Sequence, residues 1–165
     1  MFSRRQFLVA SGGLGVAALA IGVLPKFAAS SALVSEASAA EVFEVTHTDS
    51  EWRALLSDEQ YEILREEGTE RAYSSALNNE HRDGTFACAG CDLPLFSSAT
   101  KFDSRTGWPS FWAPLDKAVA TRQDRAFGMV REEVHCRRCG GHLGHVFDDG
   151  PKPTGLRYCM NGLAM

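Results

Sequence analysis

The feature that most restricts the fold is a pair of short motifs, Cys88-Ala89-Gly90-Cys91 and Cys136-Arg137-Arg138-Cys139. Two residues between cysteines let a tight turn aim both sulfurs at one centre. Two such turns together offer the four thiolates that a tetrahedral zinc ion takes. The 44 residues between Cys91 and Cys136 are too many for a simple zinc ribbon, so a block of sheet is inserted between the halves of the clamp. Four thiolates close the coordination sphere and leave no open position for water, which makes the site structural rather than catalytic. Two disulfides are the alternative use of the same cysteines, a serious one in an exported protein.

Export is itself an expectation from residues 1–39. Arg4 and Arg5 precede an apolar run from Leu14 to Leu24, followed by Ala/Ser-rich sequence ending in Ala37-Ser38-Ala39. This order is that of a secretory signal, and Ser3-Arg4-Arg5-Gln6-Phe7-Leu8 resembles a bacterial twin-arginine signal. Cleavage is expected after Ala39, leaving residues 40–48 as a linker and 49–165 as the folded domain. The product is then exported, periplasmic or otherwise outside the inner membrane. An uncleaved signal would leave it membrane-anchored, although the run is shorter than the roughly twenty residues needed to span a bilayer core. The leader carries a net positive charge, so against −4 for the whole chain the remainder is more acidic still. No broad basic field is available to neutralise phosphates, which argues against nucleic acid as a partner.

Helical signals are confined to the start of the domain. Ser57-Asp58-Glu59-Gln60 has the form of a capping box, Tyr61 and Leu64 follow at helical spacing, and Gly68 is placed to end that helix in the left-handed conformation. A shorter helix is expected over 49–56. Beyond Gly84 the chain turns to short runs of Phe, Val and Thr between Gly, Pro, Asp and Ser, the texture of antiparallel strands. Strands are expected over 85–88, 108–113, 119–122, 127–135, 142–147 and 156–161. The fold class is mainly β with short N-terminal helices and a structural zinc clamp of four cysteines.

Cys159 remains outside the two pairs. An odd thiol is either a buried small hydrophobe or a nucleophile. On a strand, Arg157, Cys159 and Asn161 share one face and Tyr158 and Met160 the other. A guanidinium beside a sulfur favours the thiolate, and an amide can orient it or a bound substrate. Gly141-His142-Leu143-Gly144-His145 adds two imidazoles suited to proton transfer near neutral pH. On a regular strand His142 and His145 point to opposite faces, so both serve one site only if Gly144 breaks the pleat. In Gly107-Trp108-Pro109-Ser110-Phe111-Trp112, Phe111 and Trp112 read as core, whereas Trp108 is placed to line a pocket for a small apolar group. Asp148 and Asp149 read as solvated turn residues.

Together, the Gly-Trp-Pro-Ser-Phe turn, the two C-x-x-C pairs, Gly141-His142-Leu143-Gly144-His145-Val146-Phe147 and Pro153-Thr154-Gly155-Leu156-Arg157-Tyr158-Cys159 resemble the peptide-methionine (R)-S-oxide reductases. The resemblance runs from about Ser50 to Met165. It implies two antiparallel sheets, with the zinc clamp away from the active thiol. It further implies Cys159 as nucleophile, His142, His145 and Asn161 around the substrate oxygen, and Trp108 against the S-methyl group. Thiolate attack on the sulfoxide sulfur, with His145 donating to oxygen, would release methionine and leave Cys159 as a sulfenic acid. The substrates implied are oxidised proteins or peptides. Many relatives carry a resolving cysteine just before the Gly-Trp-Pro-Ser-Phe turn, where this chain has Thr106. If zinc holds the other four thiols, an external thiol reductant, thioredoxin-like or other, must therefore reduce the sulfenic acid. Two other readings use the same residues: a non-catalytic zinc-stabilised β binding module with Cys159 buried, and a thiol-disulfide exchange protein using a C-x-x-C pair as its redox dithiol.

Overall fold

The computed structural model describes residues 41–165. The expected leader, residues 1–39, lies outside the described residues. Among the described residues, two capping boxes open two α-helices. In α1 (Asp49–Leu55), Thr48 accepts from the Glu51 amide and the Glu51 carboxylate accepts from the Thr48 amide. In α2 (Asp58–Glu66), Ser57 and Gln60 make the same reciprocal pair, as their spacing predicts. The end of α2 departs from expectation, since Glu67 rather than Gly68 takes the left-handed conformation, at φ 57°. Gly68 serves close approach instead: its amide donates to the Glu62 carbonyl at 3.0 Å, and a Cβ there would press on the same oxygen.

Eight strands follow: β1 (Thr85–Ala87), β2 (Pro94–Ser97), β3 (Lys101–Phe102), β4 (Ser110–Phe111), β5 (Val119–Asp124), β6 (Arg131–Cys136), β7 (His142–Phe147) and β8 (Arg157–Met160). β1 and β2 form a two-stranded antiparallel sheet, and the other six an antiparallel sheet in the order β3-β4-β8-β7-β6-β5. This is the mainly β, two-sheet fold expected. β7 falls where predicted, but the strand expected over 108–113 shrinks to two residues, because Pro109 has no amide to give a ladder. The strand expected from Phe127 starts only at Arg131, since Asp124 captures the Ala126 amide and starts a tight turn there. β2 escaped sequence reading because Pro94-Leu95-Phe96 shows no alternation.

Aromatic rings pin the small sheet to the large one. Phe96 stacks on Phe111 with centroids 4.4 Å apart, Phe86 meets Phe111 edge-on at 5.0 Å, and Tyr158 lies 5.9 Å from Phe96. Leu95, Val134, Leu143 and Met160 complete a fully buried layer, each worth about 1.5–3 kcal/mol on the transfer scale. Trp112, expected in this core, is only half-buried, since the chain leaves the sheet after Phe111. The helices lie over the cysteine motifs. A Cβ on Gly90 would touch Trp52, Leu64 and the Cys139 sulfur, and Arg65 donates to the Cys139 carbonyl at 3.1 Å. Residues 41–48 carry no regular element. The Val45 amide nonetheless donates to the Arg138 carbonyl at 3.0 Å, and Glu41 lies 3.2 Å from His135.

On β8 the expected alternation holds: Tyr158 and Met160 turn to the core, which leaves Arg157 and Cys159 on the other face. β7 departs from regularity where the two histidines need it to. Val134 pairs with Gly144 and His135 with His142, so Leu143 is an extra residue. One extra residue reverses the alternation and brings His142 and His145 to the same face, with ring centroids 5.4 Å apart. Gly144 has φ 155°, and a Cβ on it would lie 2.1 Å from the Cys159 carbonyl oxygen. We expect Gly144→Ala to destabilise the fold by about 3 kcal/mol or more, read from urea denaturation. An unchanged midpoint would show that β7 and β8 part without cost.

Candidate active site

Cys88 and Cys91 flank the turn after β1, while Cys136 ends β6 and Cys139 lies in the turn to β7. Their four sulfurs all lie within 4.8 Å of one another. A tetrahedral ion with Zn–S bonds of about 2.3 Å sets neighbouring sulfurs about 3.8 Å apart. Cys88 and Cys139 are 3.7 Å apart, Cys91 and Cys136 3.5 Å. A disulfide needs about 2.05 Å, so the disulfide reading fails on distance, and all five cysteines are free. Left to themselves these sulfurs compete for protons. Hydrogen bonding among them, with burial, pushes the Cys88 and Cys139 thiols up, while the same hydrogen bonds hold Cys136 low. A divalent cation resolves the conflict by letting all four ionise together. The donor set suits zinc, which once bound would leave no C-x-x-C pair free for redox exchange.

None of these four sulfurs lines the cavity that holds Cys159. That cavity, of about 140 Å³, is walled by Cys159, His145, Trp108, Asn161, Arg131 and Phe147. The half-buried Cys159 is the register partner of His145 on β7 and of Ser110 on β4. Strand pairing therefore sets thiol and imidazole side by side on one face. Trp108 is fixed by its indole N–H, which donates to the Glu70 carbonyl at 3.0 Å. Thr106 Oγ1 lies 3.8 Å from the Cys159 sulfur. The cluster predicted from sequence thus assembles for Cys159, His145, Trp108 and Asn161.

Two predicted residues stand just outside the wall. His142 is buried, its Nδ1 2.8 Å from Glu133, so it backs His145 rather than facing the cavity. Arg157 shares the face of Cys159, but Asp149 grips its guanidinium through two contacts of 2.8 Å and the Phe147 ring lies beneath it. Asp149 is exposed, as expected of a solvated turn residue, and also holds that cation; its hydrogen bonds raise Arg157 above its ordinary value. The Asn161 amide is also occupied: its oxygen accepts from the Glu70 amide at 3.0 Å and its nitrogen donates to the Leu143 carbonyl at 3.2 Å.

The sequence of this site is matched elsewhere. The SelR domain profile matches residues 56–165. The chain belongs to the SelR domain family. It is 58% identical to the "Peptide methionine sulfoxide reductase MsrB" of Thiobacillus denitrificans over 72% of this chain and 90% of that protein. Proteins of the same name from Agrobacterium fabrum and Leptospira interrogans are 54% and 51% identical over 73% and 74% of the chain, covering 90% and 95% of their own lengths.

Within this SelR domain, several contributors at the site carried no sequence signal. Asp124 closes β5 opposite Arg131 on β6, and its Oδ2 lies 2.9 Å from His145 Nε2 and 2.6 Å from the Arg131 guanidinium. The Ala126 amide, then His145 and Arg131, hold the Asp124 carboxyl far below the ordinary carboxylate range. Glu133, buried under His142, also takes Arg122. Burial pushes Glu133 up, but these partners outweigh it and keep it low. Glu70 accepts from the Gly162 and Leu163 amides, tying the C-terminal turn beneath Trp108. Only the pairing of strands and loops far apart in sequence identifies these acids.

His145 is pushed below its ordinary value by burial, which the Asp124 hydrogen bond opposes but does not cancel. Titrated by NMR, it should therefore ionise below the usual value of about 6.5. Asp124→Asn removes the opposing charge and should move it lower still; an upward move would refute the pairing. For the clamp, stripping the metal with a chelator should lower Tm and diminish the far-UV circular dichroism, because metal affinity there is folding energy. A chelated protein with an unchanged melting curve would overturn the clamp's structural role.

Proposed function

We propose that this chain is a peptide-methionine (R)-S-oxide reductase whose nucleophile is Cys159. The observation that carries the reading is a half-buried thiol walling a cavity of about 140 Å³ with an imidazole partner and an indole, while the other four thiols are gathered elsewhere. That space suits a thioether side chain, and Trp108 offers an apolar surface to its S-methyl group. The names of the relatives support the reaction. The (R) preference rests on the resemblance alone.

A resting neutral His145 takes the proton of the Cys159 thiol, and the thiolate attacks the sulfoxide sulfur. The imidazolium then delivers that proton to the sulfoxide oxygen, and the hydroxyl passes from the methionine sulfur to the Cys159 sulfur as the bond between the two sulfurs breaks. In sum, thiol and sulfoxide become sulfenic acid and thioether: the sulfur of methionine is reduced, Cys159 is oxidised, and no outside proton is consumed. Asp124 holds His145 by Nε2 and so leaves Nδ1 for this transfer, while Glu133 and His142 support the ring from behind. Arg157, clamped by Asp149, supplies positive charge on the thiol's face. Asn161 and Glu70 hold the cavity floor in place. Bound at Cys88, Cys91, Cys136 and Cys139, zinc would supply rigidity and no chemistry.

Thr106 stands beside Cys159 with a hydroxyl, so with the other four thiols held by zinc the sulfenic acid finds no internal thiol. An external thiol, from a thioredoxin-like protein or another reductant, forms a mixed disulfide with loss of water, and a second thiol releases Cys159. Oxidised proteins and peptides are the substrates. Residues 1–39 are the twin-arginine signal, removed after Ala39, with 40–48 as linker and 49–165 as the catalytic domain. Its twin arginines, short apolar run and small-residue ending support a location outside the inner membrane.

The wild type should reduce the R and not the S epimer of a methionine sulfoxide, with zinc stoichiometric in the same sample. Cys159→Ser should abolish turnover, whereas surviving activity would refute the assignment. Given substrate without reductant, the wild type should accumulate Cys159 sulfenic acid, and Thr106→Cys should convert it to an internal disulfide by peptide mapping. An internal disulfide in the wild type would exclude the single-cysteine cycle.

A further inference from the structure

Trp108 has a second cavity beside it. A cleft of about 240 Å³, lined among others by Tyr73, Asn78, Asn79, His81, Lys101 and Trp108 itself, shares Trp108 with the lining of the reaction cavity. The cleft is built rather than incidental. The Tyr73 ring is 72% exposed, yet its hydroxyl donates to the Arg105 carbonyl at 2.9 Å and its amide to the Gly107 carbonyl at 2.7 Å. Tyr73 and Arg105 both sit in the left-handed region, at φ 66° and 59°. Neither is a glycine, and such backbone is held only where its surroundings enforce it. Asn78 Nδ2 donates to the Gly107 carbonyl at 3.0 Å, and the Lys101 ammonium donates to the Asn78 carbonyl at 2.9 Å. These bonds fix the walls without using the side chains of Asn79 and His81, which are exposed.

We infer that this cleft receives the main chain flanking the methionine sulfoxide of an oxidised polypeptide. The inference rests on the proposed reaction. A cavity of about 140 Å³ holds one side chain and no more, so the rest of a bound polypeptide must leave over its rim. Trp108, common to both linings, sets the cleft next to that cavity. Its lining matches an extended peptide: amide and imidazole groups to meet unpaired N–H and C=O, and a fixed ring on which a neighbouring side chain lies. The occupant is therefore polypeptide, and free methionine sulfoxide, which cannot reach past the indole, gains nothing from the cleft.

The test compares a short N-acetylated peptide containing a central methionine (R)-sulfoxide with N-acetyl-methionine (R)-sulfoxide. In the full chain, the peptide should show a KM about tenfold below that of the small substrate, the increment of a few extra contacts. The double variant Asn79→Ala with His81→Ala should bring the ratio of the two KM values toward one. Asn79→Trp, which fills the cleft from an exposed position, should do the same by exclusion. Equal KM values in the wild type, or a ratio unmoved by both variants, would overturn the cleft's role. Absence of turnover on either wild-type substrate would instead overturn the proposed reaction. Because Asn79 and His81 are exposed, a melting curve matching the wild type will show that a changed ratio comes from binding.

Discussion

The pairing of β7 with β8 sets His145 directly across from Cys159, and the missing side chain at Gly144 allows the two strands to come that close. A Cβ at this position would collide with the backbone of Cys159 itself. The same stretch carries the Leu143 bulge, which turns both histidines to one face. Without the bulge, His142 and His145 would straddle the sheet, and one of them would compete with Leu143 and Met160 for the core. A single irregular strand therefore decides whether thiol and imidazole belong to one site.

The clamp and the aromatic layer hold that strand from its two sides. Cys136 and Cys139 bracket the turn into β7, and the helices covering them through Trp52, Leu64 and Arg65 fix where the strand begins. Across the sheet, Phe111 and Tyr158 press against the small sheet. The face that walls the cavity is thus left to carry polar residues, and its ionisable side chains come in hydrogen-bonded pairs. His145 meets Asp124, His142 meets Glu133, and Arg157 meets Asp149. Buried acids and bases in such pairs avoid the cost of isolated charge and hold each ring in one orientation.

Much of this was legible in the chain because the information was local. Ser57 and Gln60 are three residues apart, the cysteines of each motif likewise, and Cys159 and Arg157 two, so helix start, clamp and shared face follow from periodicity. The end of α2 was misplaced by one residue because Glu67 accepted a conformation usually left to glycine. β2 was missed because a hydrophobic run without alternation carries no period. Asp149 is the solvated turn residue that its neighbours suggest, but its pairing with Arg157 depends on how the last turn folds back over β8.

Sequence by itself determined the sulfur inventory, four thiols in two turns and one apart, together with the alternation that separates Cys159 from the core. Those are properties of neighbours along the chain, fixed by bond geometry and strand period. Tertiary structure alone decided which acids serve the site, since Asp124, Glu133 and Glu70 lie 21, 9 and 91 residues from the partners they hold. It also decided that Leu143 bulges and that a cleft opens beside Trp108. Each of these depends on the register between segments, and register is set by packing whole faces against one another rather than by any one residue's neighbours.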